Sequence, residues 1–519
     1  MAWLTRLNPT PEFPSYTGPY KVGSVDVEIP TSQLEAPGPS DSPCTNLSTV
    51  AFRIFYPARE ESSQKGVKWI PSPQREYVSA YARFLGAGSA FAQVFSVLPQ
   101  LLYYVSIPVH HNADVLEPPT KSKRWPVMVF SHGLGGSRNA YSHICGSLAS
   151  HGVVVVAPDH RDGSSPISFV HVPDEKKPKA IEYKKVAHSA SAEVYEARDE
   201  QLRIRLMELG LVHDALLKID DRIPLKNVAE DQKTNGGKDM LTMFARTLNV
   251  HEPGAISWVG HSFGAATTVQ FVKSVYYRPE PNQPDFRALF TPSRDSSLVR
   301  QITPASPVML LDLWTLPIQS PSTAWLRSKP MPCYQSRAGG SNLLAILSEA
   351  FYKWSANFDN TKRILQKPSA ADSSLSAQPG PHIFYPISSA HLSQSDFGVL
   401  FPWVTTKIFG AKEPERVLKL NARAMLQVLR NLGTEVANTS PPDMESDDAK
   451  SLRNGVVHDE KILEIREGSV RDWVNLSTET KSGMTNMEKS PEDAMLEGEA
   501  LGQVISREER ESENQRSNI

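Results

Sequence analysis

Ser262 sits in the run Gly260-His261-Ser262-Phe263-Gly264, and a glycine two positions to either side is what a serine on a sharp strand-to-helix turn requires. A Cβ at either glycine would collide with the neighbouring strand or helix. The flanks have the matching order: Ile256-Ser257-Trp258-Val259 reads as a strand and Ala265-Ala266-Thr267-Thr268-Val269 as the start of a helix. Gly-x-Ser-x-Gly alone arises by chance in glycine-containing chains, so this context carries the reading. The chemistry it offers is nucleophilic attack on a carbonyl. A serine alcohol attacks near neutral pH only with a base to take its proton, an acid to hold the base, and N–H donors for the developing oxyanion.

Elements that end in polar residues supply candidates for each partner. Pro126 to Phe130 is an apolar strand that delivers Ser131-His132-Gly133-Leu134-Gly135-Gly136, a glycine-rich turn able to bring a backbone N–H beside the nucleophile. The amides of Leu134 and Phe263 are therefore the expected oxyanion hole; an ordinary strand-to-helix loop is the plainer reading of the same turn. Gly152 to Pro158 is too apolar to be half exposed and belongs inside a parallel sheet. It ends in Asp159-His160-Arg161-Asp162. Because that cluster precedes the serine and no second His/Cys cluster has ligand spacing, it reads as a structural network at a strand end. With an elbow of this type the acid and then the base follow the serine along the chain. Pro307 to Leu311 is a strand ending at Asp312, the expected acid. His382 to Ile387 is another, followed by Ser388-Ser389-Ala390-His391, so His391 lies past the strand end and is the expected base. His382 is the alternative, but it begins the strand and belongs to the wrong edge of the sheet.

Phe130-Ser131-His132-Gly133-Leu134-Gly135, Asp159-His160-Arg161-Asp162, the serine motif, Leu311-Asp312-Leu313-Trp314, and His391 followed by Asp396-Phe397 together resemble the platelet-activating factor acetylhydrolases of the plasma and intracellular monomeric type. Gly18 to Gly23, Phe52 to Pro57 and Arg198 to Arg205 extend the resemblance over most of residues 15 to 433. It implies an α/β-hydrolase fold, and a calcium-independent serine esterase that removes short or oxidised sn-2 acyl groups from phospholipids. Ser262, Asp312 and His391 are the implied triad, with no cofactor. Polar insertions near Asn227 to Asp239 and around Pro279 to Pro292 depart from the family and are expected to reshape the acyl or headgroup pocket. The alternatives are a carboxylesterase for small soluble esters and a catalytically silent lipid-binding hydrolase fold.

The chain of 519 residues has room for one large α/β domain with a mainly parallel sheet, helices on both faces, and insertions. Its three cysteines, Cys44, Cys145 and Cys333, indicate neither a disulfide framework nor a zinc site. From Ser440 to Ile519 there are 19 Asp/Glu against 10 Lys/Arg and few aromatics, so the domain is expected to span residues 1–439 and the acidic tail 440–519 to be disordered. Arg198 to Asp220 places Leu202, Leu206, Leu209, Val212, Leu216 and Leu217 at helical spacing among charged residues, which reads as an amphipathic helix covering the sheet without chemistry. Phe84 to Ile107 carries no charge; Gln93, Pro99 and Gln100 argue for an interfacial or lid-like element over a membrane span, with a plain core helix also open. The N-terminus reads as lacking a secretory signal and, with alanine at position 2, a myristoylation site, so neither is expected. The expected location is cytoplasmic, with peripheral contact to lipid surfaces. No motif suggests a nucleic-acid partner, and the sequence leaves the oligomeric state open.

Overall fold

The computed structural model describes residues 11–38, 47–84, 99–172, 175–229, 239–278, 287–368, 378–444, 459–465 and 468–479. One large sheet runs through them. Its strands are β1 (Lys21–Pro30), β2 (Thr49–Ala58), β3 (Trp125–Ser131), β4 (Val154–Pro158), β5 (Ser257–His261), β6 (Val308–Leu311), β7 (Leu343–Ile346), β8 (His382–Pro386) and β9 (Trp473–Leu476). Across the sheet the order is β9-β8-β7-β6-β5-β3-β4-β2-β1. Strands β4, β3, β5, β6, β7 and β8 pair in parallel, with antiparallel partners flanking them, β9 on β8 and β2 and β1 beyond β4; the short strand His110–His111 then pairs in parallel with β1 at that edge.

Successive side chains of a strand point to opposite faces, so a strand buried on both sides must be apolar throughout. β3 sends Trp125, Val127 and Val129 to one face and Met128 and Phe130 to the other. Helices α3 (Ala192–Asp220) and α4 (Phe263–Tyr277) cover the first face, while α2 (Ser142–Ser150) and α5 (Pro414–Asn431) cover the second. Ser191 caps α3 by accepting the Val194 N–H, and Pro414 opens α5 where no intrahelical donor is needed. Burying one Leu or Met of these helices is worth roughly 1.5–3 kcal/mol, and α5 alone buries Leu418, Met425, Leu426 and Leu429. The α/β-hydrolase arrangement expected from the sequence is thus present.

Two expectations are corrected. α3 is not amphipathic with a solvated polar side: Arg198, Arg205, Glu208 and Asp220 on it are as buried as its leucines. The expected tail boundary at residue 440 also falls too early. β9 pairs with β8, Trp473 stacks on Phe384 at 5.1 Å, and Ile462, Leu463 and Val470 enter the second-face core. Those four apolar anchors of the tail are diluted by acidic neighbours, so average charge hides them. Residues 480–519 lie outside the described residues, as do Phe91, Val94, Phe95 and Leu98 of the expected interfacial segment. Of that segment, helix α1 (Gln74–Phe84) ends at Phe84, and Leu102 lies in the core. No helix among the described residues is long and apolar enough to cross a membrane.

Candidate active site

The parallel register sets the strand ends level. Gly260 of β5 is opposite Ser131 of β3 and Leu310 of β6, and Leu311 is opposite both His261 and Ile346. The chain leaving each strand is then tied to the next: Ser262 N–H donates to Leu311 C=O and Asp312 N–H to Ile346 C=O, both at 2.8 Å. Ser262 adopts φ 56°, ψ −116°, and Asp312 φ 45°, conformations that non-glycine residues avoid and that cluster at functional turns. The two glycines of the motif have the steric role assigned to them. A Cβ on Gly260 would lie 2.2 Å from the Gly264 carbonyl, and one on Gly264 only 2.0 Å from Ser131 O.

Asp312 is wholly buried, and its Oδ2 lies 2.8 Å from His391 Nδ1, while its Oδ1 accepts the Ser348 N–H. His391 is held face to face on Phe351, with ring centroids 4.5 Å apart. The Ser262 hydroxyl is buried and makes no hydrogen bond among the described residues. An unsatisfied buried hydroxyl costs about 1–3 kcal/mol, and sites of chemistry are where such costs are retained. Phe263, the residue after the serine, opens α4. Leu134 follows Gly133, whose N–H donates to the Tyr141 hydroxyl at 3.0 Å. His382 begins β8, at the opposite edge from Asp312 and His391.

Several further residues surround these five, and some of them, Tyr141 and Glu208 among them, were not singled out by the sequence. His261 lies 4.3 Å from His391 between ring centroids, and its Nε2 is 4.0 Å from Asp312 Oδ2. Its Nδ1 is 2.8 Å from the Tyr141 hydroxyl, which also receives the Gly133 N–H, so one phenol joins the glycine-rich turn after β3 to the serine motif. Burial, then the charge of His391, holds the His261 ring well below ordinary imidazole basicity. Arg205 donates to Asp162 Oδ2 at 2.7 Å and to His132 C=O at 2.8 Å, and its guanidinium covers the Phe263 ring at 4.3 Å. His160 joins Ser131 Oγ at 2.8 Å to Glu208 at 2.7 Å. Burial drives that pair toward uncharged forms, with Glu208 pushed up to about 8. Asp159-His160-Arg161-Asp162 is thus engaged as a packed network behind the glycine-rich turn after β3. Asp396 accepts N–H groups from Ser142 and His143 at the start of α2 and from Trp69 Nε1, which anchors the loop carrying His391.

Two groups among the described residues bring three metal-capable donors within 4.8 Å: His261 with Asp312 and His391, and Asp220 with Asp221 and His251. In the first, Asp312 already holds His391 in a hydrogen bond; in the second, Asp220 is paired with Arg124 at 2.6 Å.

A mainly parallel sheet covered on both faces, with a strained serine, a strand-end aspartate and a loop histidine at its carboxyl edge, defines an α/β-hydrolase. The chain belongs to the family described as platelet-activating factor acetylhydrolase, isoform II, whose profile matches residues 6–450. It is an ester hydrolase. A Schizosaccharomyces pombe protein named "Putative phospholipase A2" is 27% identical over 446 residues, covering 81% of this chain and 92% of that protein. The platelet-activating factor acetylhydrolase of Cavia porcellus is 32% identical over 265 residues, and that of Canis lupus familiaris 29% over 262; each match covers 50% of this chain and 51% of the relative.

Proposed function

We propose that this protein is a serine-dependent, calcium-independent esterase that removes short or oxidised acyl groups from the sn-2 position of phospholipids. The observation that carries the reading is the buried Asp312–His391 pair, 2.8 Å apart, beside an unpartnered serine hydroxyl on a strained turn. Family membership supplies the substrate class. In this reading Ser262 Oγ attacks the ester carbonyl carbon as its proton passes to His391 Nε2, and Asp312 stabilises the imidazolium. The amides of Leu134 and Phe263 receive the oxyanion. The carbon–oxygen bond to glycerol then breaks, and His391 returns the proton to the departing lysophospholipid oxygen. Water adds to the acyl-enzyme, losing a proton to His391, and Ser262 leaves with it. The substrate resides in lipid aggregates, so the reading includes a cytoplasmic enzyme with peripheral contact to lipid surfaces.

A fluorophosphonate probe should label the native chain and not Ser262→Ala. Phosphatidylcholine with an sn-2 acetyl group should be hydrolysed with a kcat/KM at least about tenfold above that of an sn-2 palmitoyl analogue, a difference of ~1.4 kcal/mol in transition-state binding. Equal rates would remove the short-chain reading. Activity on soluble esters alone would leave a carboxylesterase, and neither labelling nor turnover a silent fold.

A further inference from the structure

Beside the oxyanion turn, on the second face of the sheet, lies a cavity of about 250 Å³ whose lining includes Asp26 of β1, Arg53 of β2, Arg138, Asp159 and, at the exposed rim, Lys68. Its carboxylates are fully engaged. Asp26 holds Arg53 through two hydrogen bonds of 2.8 Å, and Asp159 holds Arg161 at 3.1 Å. Glu28 accepts from Thr49, Arg161 and His171. The guanidinium donors are in excess: Arg53 Nη1 and Arg138 Nε of the lining have no acceptor among the described residues, and the nearest carboxylate to Arg138 Nε is Asp26 at 3.6 Å. Arg53 is 1% exposed, so bulk water does not solvate it. The lining holds three cations (Arg53, Arg138, Lys68) and three carboxylates (Asp26, Glu28, Asp159), and Arg161, outside the lining, already pairs with two of those carboxylates, so what the cavity lacks is acceptor oxygens. Planar guanidinium forks pair best with tetrahedral or planar oxyanions.

We propose that this cavity is a binding site for a phosphate group distinct from that of the lipid being hydrolysed. Distance puts Arg53, the buried donor of the cavity, out of reach of the headgroup of the scissile lipid. β2 lies three strands from β5, about 14 Å at ~4.8 Å per strand, whereas five bonds separate an sn-2 carbonyl carbon from phosphorus, under about 7 Å. The cavity is also smaller than the roughly 300–1,000 Å³ of sites that enclose a drug-sized ligand, which suits a headgroup and not a whole lipid. The phosphate comes either from a neighbouring phospholipid at the aggregate surface or from a soluble phosphate.

The test uses Ser262→Ala protein, so that nothing is consumed and the outcome does not depend on the assignment of the nucleophile. Inorganic phosphate is compared with sodium chloride at matched ionic strength by thermal midpoint, alongside flotation with phosphatidylcholine vesicles and phosphate-free galactolipid vesicles. Phosphate should raise the midpoint, or phosphatidylcholine vesicles should bind better than galactolipid ones; the first outcome identifies a soluble source and the second a neighbouring headgroup. In either case Arg138→Gln and rim Lys68→Gln, each with unchanged circular dichroism, should weaken binding about tenfold or more, as expected for loss of a charge-assisted hydrogen bond. No response to either phosphate source, or variants that bind as the parent does, would overturn the proposal.

Discussion

At the scale of single residues, the site is a set of side chains whose ordinary partners have been withheld or doubled. Ser262→Ala removes one unpartnered oxygen, so turnover should vanish while the thermal midpoint stays within about 1–2 °C of the parent, the range of neutral substitutions. Asp312→Asn and His391→Ala should each cost ~10³–10⁴ in kcat, whereas His382→Ala, at the far edge of β8, should leave it near the parent value. Activity lost with His382→Ala in a folded protein, and kept with His391→Ala, would reverse the assignment of the base. Tyr141→Phe tests a contact that motif reading does not reach. It strips the Gly133 N–H of its acceptor and His261 Nδ1 of its partner, and an unpaired buried donor costs about 1–3 kcal/mol. If the phenol positions the oxyanion turn, the loss should appear in kcat, with KM little changed. That Asp312 and His391 meet at the strand edge carrying Ser262 was legible, because strand ends and chain order restrict where such groups stand. Tyr141 and His261 were not, since they meet across 120 positions through a fold that periodicity does not encode.

Elements carry the same lesson in α3 and β1. Leucines at helical spacing among charges normally announce a solvated face, yet the charges of α3 turn inward because the oxyanion turn and the loop after β4 bring them partners: His132 C=O, Asp162, His160. Hydrophobic periodicity locates a helix but says nothing of what its polar residues meet. Arg205→Met keeps the volume and removes the donors, leaving Asp162 buried without its cation. A loss of about 3–5 kcal/mol in urea unfolding is expected. β1 yields the pH prediction. Burial alone would raise the Glu28 carboxyl, but its bonds with His171 and Thr49 and the charge of Arg161 outweigh that and hold it at about 2, against 4.5 unfolded. A carboxylate depressed on folding stabilises above its unfolded value and loses that contribution as pH falls through its folded one. Between pH 4.5 and 2 the native chain should therefore lose about 3 kcal/mol that Glu28→Gln does not lose, at ~1.4 kcal/mol per pH unit. Parallel unfolding curves for the two proteins across that window would show that Glu28 is not the group responsible.

On the scale of the whole molecule, the acidic C-terminal region divides where its apolar anchors stop. Composition describes 440–519 as one charged stretch, because a residue such as Trp473 weighs little in an average; packing instead weighs each anchor by what it covers. Trp473 closes over Phe384 and donates through Nε1 to Ile462 C=O, while Asp459 grips Arg423 of α5 at 2.6 and 3.1 Å with both groups almost fully buried. β9 also covers the outer edge of β8, the strand from which the His391 loop departs, and an uncovered edge strand invites pairing with other chains. A chain ending after Glu479 should keep both its thermal transition and its esterase rate. One ending after Asn438 loses Asp459 and leaves Arg423 without that carboxylate, a cost of about 3–5 kcal/mol, or on the order of 5–10 °C for a domain of this size. It should also aggregate on heating before the longer chain does. Identical melting of the two truncations would mean that the segment from 459 to 479 rests on the body without supporting it, and that the boundary read from charge alone was the physical one.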